Sequence, residues 1–210
     1  MTKIDTTRLM TWVAGLLAVC AAAPQPLRAQ EGARVTPPAV PANLVAPVGT
    51  KAFLEGHAVG TQNYICLPTA TGFAWTFYGP QATLFNDQDR QITTHFLSAN
   101  PDESGALRAT WQHSADTSAV WAAAIQSSTD PLFVAPGAIP WLLLQVVGDE
   151  DGPNGGDRLT RTLYIQRVHT SGGVMPTTGC AATADVGKRT LVPYQADYVF
   201  YKQRGHGDWQ

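Results

Sequence analysis

Residues 194–201 read YQADYVFY, and this stretch decides the fold class. Apolar side chains occupy every second position from residue 194 to residue 200, namely Tyr194, Ala196, Tyr198 and Phe200. Successive side chains of a β-strand point to opposite faces, so a period of two is typical of a strand with one buried face. The stretch therefore predicts a strand near the C-terminus that packs these four side chains into a core.

An apolar run of a different kind lies upstream, at residues 139–147 (IPWLLLQVV). It does not alternate, and it is too short to be a typical helix. A short continuous apolar run is typical of a strand that is covered on both faces. We therefore expect other parts of the chain to pack against both sides of this segment.

Further short β-like runs are separated by Gly, Pro, Asn or Asp. They cover residues 53–59, 62–67, 73–78, 82–85, 91–97, 107–112 and 162–168. Only residues 119–127 (AVWAAAIQS) have a helical feature, with Trp121 and Ile125 four positions apart, and a strand is an equally valid interpretation there. The pattern predicts an all-β domain, an antiparallel β-sandwich or flattened barrel of about nine strands with at most one short helix.

Composition excludes several classes of protein. The 210 residues are 44% hydrophobic and 14% charged, with 19 glycines and 15 prolines. That charge is too low for a disordered polyelectrolyte or a coiled coil. With a net charge of −2 and no basic cluster, we expect no nucleic-acid partner.

The first 29 residues have the features of a secretory signal peptide. Lys3 and Arg8 precede an apolar segment at residues 10–23, and Ala29 supplies a small residue at the cleavage position. The apolar segment is shorter than a membrane-spanning helix, so we expect no stable membrane span after cleavage. Lipid anchoring at Cys20 is disfavoured because Val19, rather than a small residue, precedes it. These features predict a periplasmic or extracellular protein.

The remaining chain divides into three parts. Residues 30–43 form a proline-rich leader, residues 44–204 a single all-β domain, and residues 205–210 a C-terminal tail. The leader can be a tether or can dock onto the sheet, and composition does not decide between them. Cys66 and Cys180 are the two cysteines left after cleavage, so in an oxidising compartment we expect one disulfide between them.

Histidine supplies the first candidate chemistry. His57, His95 and His113 each lie in or beside a predicted strand, and three strands can bring three imidazoles to one metal ion. None of the histidines has a diagnostic ligand spacing, so ordinary polar residues on a sheet are the simpler interpretation. We expect no tightly bound cofactor.

An acidic loop offers a calcium hypothesis. Its candidate oxygen ligands are Asp149, Asp151, Asn154 and Asp157. The loop departs from the EF-hand pattern because Pro153 and Asn154 occupy positions that need a ligand and a glycine. A solvated turn between two strands is the simpler interpretation.

Aromatic residues offer a ligand-binding hypothesis. Trp75 and Trp111, together with His113, are candidates for a stacking surface. No GxSxG motif is present for a hydrolase and no GxGxxG for a dinucleotide. His113 and the adjacent Ser114 would point to opposite faces of a strand, which disfavours proton sharing between them.

Several segments resemble a known family in their order along the chain. They are residues 57–66 (HAVGTQNYIC), 73–75 (FAW), 79–85 (GPQATLF), 110–114 (TWQHS), 139–144 (IPWLLL), 164–168 (YIQRV), 170–173 (TSGG), Cys180 and 194–201 (YQADYVFY). Together they resemble the secreted bacterial and fungal family catalogued as domain of unknown function 3455, over about residues 41–202. The resemblance implies secretion and a single domain, and it implies no activity.

These observations lead to two functional hypotheses. The first is a non-catalytic secreted module that binds a small ligand or a component of the cell envelope. The alternative is a metal-dependent or hydrolytic enzyme with a site drawn from His57, His95 and His113. The two differ in whether these imidazoles converge on one point.

Overall fold

In the computed structural model, residues 35–205 are described. The predicted signal peptide with Cys20, the first residues of the leader and most of the C-terminal tail lie outside these residues. Among the residues described, no helix is long and apolar enough to cross a membrane.

Eight antiparallel strands, joined in sequence order, form one closed barrel. They are β1 (Thr50–Thr69), β2 (Gly72–Phe85), β3 (Gln91–Asn100), β4 (Ala106–His113), β5 (Ala119–Ser128), β6 (Trp141–Glu150), β7 (Thr162–Gly172) and β8 (Arg189–Gln203). Three short 3-10 turns lie at Ala42–Leu44, Pro101–Glu103 and Thr183–Asp185. The all-β prediction is confirmed, and a barrel is the architecture adopted.

The strand count differs from the predicted nine for a specific reason. The runs at residues 53–59 and 62–67 are one long strand, β1, and those at 73–78 and 82–85 are one strand, β2. Residues 119–127 fall within β5, so the helical interpretation of that segment is wrong. Trp121 there is buried and Ile125 is exposed, so the two do not share a helical face.

The alternating stretch of β8 faces the barrel interior. Tyr194, Ala196, Tyr198 and Phe200 are all buried in one apolar cluster with residues of the other strands. Its period of two matches the alternation between the inside and outside of a barrel wall. The prediction that these four side chains pack into a core is confirmed, but Val199 and Tyr201 on the other face are buried as well.

The outer face of the first half of β6 is covered by segments from outside the strands. Trp141 and Leu143 pack in a second apolar cluster with Leu44 and Val134, on the opposite side of the strand from Leu142 and Leu144. Val40 of the leader packs against this cluster, and the Gln166 side chain donates a hydrogen bond of 2.6 Å to the backbone oxygen of Leu44. The end of the leader therefore docks onto the barrel. β6 is covered on both faces over residues 141–144, as predicted, whereas Gln145 is exposed.

The two ends of the barrel differ in their packing. The packed end carries the β2–β3, β4–β5 and β6–β7 connections, and Leu159 from the last of these is fully buried in the interior cluster. The open end carries the β1–β2, β3–β4, β5–β6 and β7–β8 connections. There the Cys66–Cys180 disulfide, with a Cα–Cα distance of 5.5 Å, ties the β7–β8 connection to β1, as the cysteine count predicts.

Candidate functional site

The open end of the barrel contains an interior cavity of about 330 Å³. Its apolar wall includes Pro80, Leu97, Ala109, Ala122, Leu142 and Leu144. Eight-stranded barrels are just wide enough to be filled by side chains or to hold one small ligand. This volume lies at the small end of the range for ligand pockets. We call it the lumen cavity.

The cavity exists because two neighbouring strands separate. β4 and β5 pair only from Ala109↔Ala122 to Gln112↔Ala119, so residues 106–108 and 123–128 diverge towards the open end. Leu107 and Phe77 line the cavity there and are largely solvent-exposed. The entrance is therefore apolar, which favours an apolar ligand.

The floor of the cavity is aromatic. His95 from β3 stacks on Trp111 from β4 with ring centroids 4.1 Å apart, and Tyr198 from β8 packs against both rings. All three side chains are almost completely buried. Below them, towards the packed end, the interior is filled by side chains such as Phe200 and Leu84.

His95 is a neutral member of this floor. Its Nδ1–H donates to the Thr110 carbonyl oxygen, 2.9 Å away, which leaves Nε2 as a hydrogen-bond acceptor. Burial lowers the pKa of His95 to about 3. The ring therefore carries no charge at neutral pH and acts as a flat, polarisable surface.

One buried donor beside the cavity has no acceptor. Trp111 Nε1 is shielded from solvent and makes no hydrogen bond within the described residues. Gln62 Nε2 is equally shielded, and the Gln62 side chain interacts with the Tyr194 hydroxyl. Both residues line the lumen cavity through other atoms. A buried N–H without an acceptor costs roughly 1–3 kcal/mol.

Two tyrosine hydroxyls add polarity near the same end. Tyr194 Oη and Tyr198 Oη lie 3.3 Å apart, and burial raises the pKa of both. Because a raised tyrosine pKa keeps the hydroxyl protonated, both remain neutral groups that can donate and accept hydrogen bonds.

Two arginines contribute to the cavity wall and differ in their partners. Arg108 donates to both carboxylate oxygens of Glu103, at 2.7 and 2.8 Å. Arg167 donates Nε–H and Nη2–H to the carbonyl oxygen of Pro140, at 3.2 and 2.8 Å. No ion pair of Arg167 with a carboxylate occurs in residues 35–205. The charge of Arg108 is thus neutralised by a carboxylate, whereas the charge of Arg167 is not.

A second cavity lies on the barrel wall beside the first. It encloses about 760 Å³ and is lined by polar and apolar residues of β1, β2 and β3. β2 and β3 pair only from Ala82↔His95 to Phe85↔Gln91, so the wall is not hydrogen-bonded beyond His95. Pro80, His95 and Leu97 line both cavities, which places the two on either side of one gap in the wall.

The three histidines considered as metal ligands have separate surroundings. His95 is buried in the lumen, whereas His113 accepts a hydrogen bond from Ala115 N at the packed end. His57 lies half-exposed in β1 between two aspartates. Within residues 35–205 no group of three or more His, Cys, Asp or Glu side chains is arranged to hold a metal ion. The convergence that the metal hypothesis requires does not occur.

His57 instead belongs to a chain of charges on the barrel surface. Its Nδ1 lies 2.7 Å from Asp197 Oδ1, and its Nε2 lies 2.9 Å from Asp87 Oδ1. The second oxygen of Asp197 lies 2.8 Å from His169 Nδ1. Hydrogen bonds to Asp197 and Asp87 raise the pKa of His57 to about 9, so the ring is charged at neutral pH. Both ring nitrogens of His57 have a carboxylate partner, and the ion pair with Asp197 joins β1 to β8.

The other candidates from the sequence lie away from the cavity. Trp75 donates to the carbonyl oxygen of Thr178 and thereby holds the β7–β8 connection near the disulfide. His113 lies at the packed end, so of the aromatic set only Trp111 reaches the lumen cavity.

The predicted calcium loop follows β6 at the packed end. Asp157 pairs with Arg161, and Gly152 N donates to the carbonyl oxygen of Gly156 within a tight turn. Asp149 is part of β6, and its pKa is raised by burial and by neighbouring carboxylates. Among the described residues of this loop, no three Asp or Glu side chains are arranged to hold a metal ion.

Sequence reasoning did not identify Gln62, Arg167 or Tyr198 as site residues. Arg167 follows Ile165 by two positions on β7, so both side chains lie on the inward face of the strand. A charged residue at an inward position is unusual, and this was the sequence signal that could have identified Arg167 as a site residue. Tyr198 was recognised only as part of an apolar face.

Comparison with known proteins gives one finding. No curated protein and no solved structure matches the chain. The sequence profile of one family covers residues 47–202, which include every residue of the eight strands except Gln203, the last residue of β8. The chain belongs to that family, which is described as Protein of unknown function (DUF3455).

Proposed function

We propose that this protein is an exported binding protein that holds one small, largely apolar molecule in the lumen cavity. The observation that carries the proposal is a cavity of about 330 Å³ inside a closed barrel, with a largely apolar wall and a stacked aromatic floor. A ligand that fills the cavity replaces the void with packing contacts.

Export is part of the proposal and has its own support. The N-terminal sequence has the order of features of a signal peptide, and the barrel contains a disulfide. A disulfide in a single small domain is typical of a protein that folds in an oxidising compartment.

Catalysis is less well supported than binding. Each polar group at the cavity is suited to fix an orientation, and none forms a nucleophile–base pair within hydrogen-bonding distance. The ionised histidine, His57, lies on the outer surface with both nitrogens engaged. Binding is therefore the function that the geometry favours.

Fluorescence titration with the neutral apolar probe N-phenyl-1-naphthylamine tests this proposal. We expect enhanced probe emission with a Kd on the order of 1–100 µM, as for small ligands of this size. Ala124 lines the cavity near its entrance, and Ala124→Trp should fill the space and weaken probe binding at least tenfold.

Ile125→Trp is the matched control. It adds the same side chain to the next residue of β5, which is exposed and does not line the cavity. We expect its affinity for the probe to equal that of the original protein. Failure of the original protein to bind the probe, or equal loss in both variants, contradicts the proposal.

A further inference from the structure

The lumen cavity contains a cation that its surroundings do not neutralise. Arg167 points inward from β7, where its neighbours across the ladders are Leu142 on β6 and Tyr198 on β8. Tyr198 is buried and Leu142 packs against the interior apolar cluster. The guanidinium is therefore held against aromatic and aliphatic surface.

The charge of Arg167 reaches several interior groups. It acts electrostatically on Tyr64, Tyr194 and Tyr198, in each case opposing the rise in pKa that burial causes. None of these groups is an anion at neutral pH, because burial keeps the hydroxyls protonated. No carboxylate of the described residues forms an ion pair with Arg167, and the Glu103 carboxylate near the entrance is already engaged by Arg108.

The guanidinium also has N–H donors beyond those that bond Pro140. An arginine has five N–H donors, and two of those of Arg167 bond the Pro140 oxygen. The other three belong to the two terminal nitrogens, and the neutral hydroxyl of Tyr198 also interacts with the guanidinium. Two terminal nitrogens match the two oxygens of a carboxylate. A partly buried charge without a counter-ion is costly, so an anion supplied by a ligand would stabilise this arrangement.

Resting on the proposed function, we infer that the ligand is a small apolar carboxylic acid, bound with its carboxylate at Arg167 and its apolar part against the His95–Trp111–Tyr198 floor. The neutral floor and the apolar entrance accept the hydrocarbon or ring portion, and the terminal nitrogens of Arg167 accept the head group.

Paired ligands that differ only in the head group test this inference. Decanoate and decanol are titrated into the purified protein in competition with N-phenyl-1-naphthylamine at pH 7.5. We expect decanoate to bind at least tenfold more tightly than decanol. Arg167→Met should weaken decanoate binding about 10- to 100-fold, the usual value of a charge-assisted pair, and leave decanol within about threefold.

Two further variants separate charge and geometry from folding. Arg90→Met removes one positive charge from an exposed residue of the β2–β3 connection, at the packed end and away from the cavity, and should change decanoate affinity less than threefold. Arg167→Lys keeps the charge without the two-pronged geometry and should give an intermediate loss. Retained decanol binding in Arg167→Met shows that the variant is folded.

The outcomes distinguish the two proposals. If the probe and decanol bind but decanoate binds no more tightly, or if Arg167→Met weakens both equally, the carboxylate inference is overturned and the binding function stands. If neither ligand nor the probe binds, the proposed function itself fails.

Discussion

The two ends of the barrel are built from the same eight strands and differ in what fills the space between them. At the packed end, Leu84, Val120, Leu159 and Phe200 are fully buried in the interior apolar cluster. At the open end, where β4 separates from β5, a cavity remains whose wall includes Arg167. The difference indicates that one end provides stability and the other is free to provide a binding site.

The disulfide is expected to have the largest effect on stability. It joins residues 114 positions apart and holds the β7–β8 connection at the open end. The chain-entropy treatment gives about 4–5 kcal/mol for a loop of this length. We expect the Cys66→Ala, Cys180→Ala double variant to lose about this much free energy of unfolding in urea denaturation. A loss below about 1 kcal/mol would contradict this role.

A pair of truncations compares the ends directly. Phe200→Ala removes a fully buried ring from the packed end and should cost about 3–5 kcal/mol. Leu142→Ala at the existing cavity removes fewer packing contacts and should cost about 1 kcal/mol. The measurement is urea denaturation of both variants in the absence of ligand. Equal costs would show that the open end is packed as tightly as the other.

Acid should lower the stability of the protein through His95, in the floor of the cavity. Because the folded pKa of His95 is about 3 and the ordinary value is 6.5, the unfolded chain takes up a proton between these values and the folded chain does not. His95 therefore lowers stability as the pH falls from 6.5, on the order of 2 kcal/mol by pH 4.5. We expect His95→Gln to flatten that part of the stability profile, and an unchanged slope would contradict the assignment.

Alkali should lower the stability of the protein through His57, on the outer surface of the barrel. The folded pKa of His57 is about 9, so its interactions with Asp197 and Asp87 contribute fully below pH 6.5 and are lost as the pH rises through 9. The side chain is 43% exposed, so solvent screening reduces this contribution to on the order of 1 kcal/mol. In His57→Gln we expect the decline of stability between pH 6.5 and 9 to become smaller. An unchanged decline in His57→Gln would show that the ion pairs of His57 with Asp197 and Asp87 are not formed in solution.

The sequence predicted the wall of the barrel better than its contents. The alternation in residues 194–201 and the apolar run at 139–147 correctly identified β8 and β6, because burial imposes those periods locally. The same reasoning split β1 at Gly60 and β2 at Gly79–Pro80, because Gly and Pro were taken as strand boundaries, whereas both strands continue through them. The single disulfide followed from the cysteine count.

The binding site was harder to predict because it depends on which strands face each other. Trp111 was identified as a ligand candidate, but Arg167 was not, since its role depends on the absence of a nearby carboxylate. The grouping of His57, His95 and His113 failed for the same reason. His95 and His113 are on neighbouring strands, β3 and β4, but lie at different heights along the barrel. His57 is on β1, which β2 separates from β3, and its side chain points outward.

Intermolecular contacts measured by NMR test the central claim most directly. With the leucine methyl groups isotopically labelled and saturating decanol added, we predict nuclear Overhauser effects from the ligand to Leu97, Leu107, Leu142 or Leu144 at the lumen cavity. We predict none to Leu84 or Leu159 at the packed end. Contacts confined to exposed leucines such as Leu132, or no contacts at all, would contradict the account.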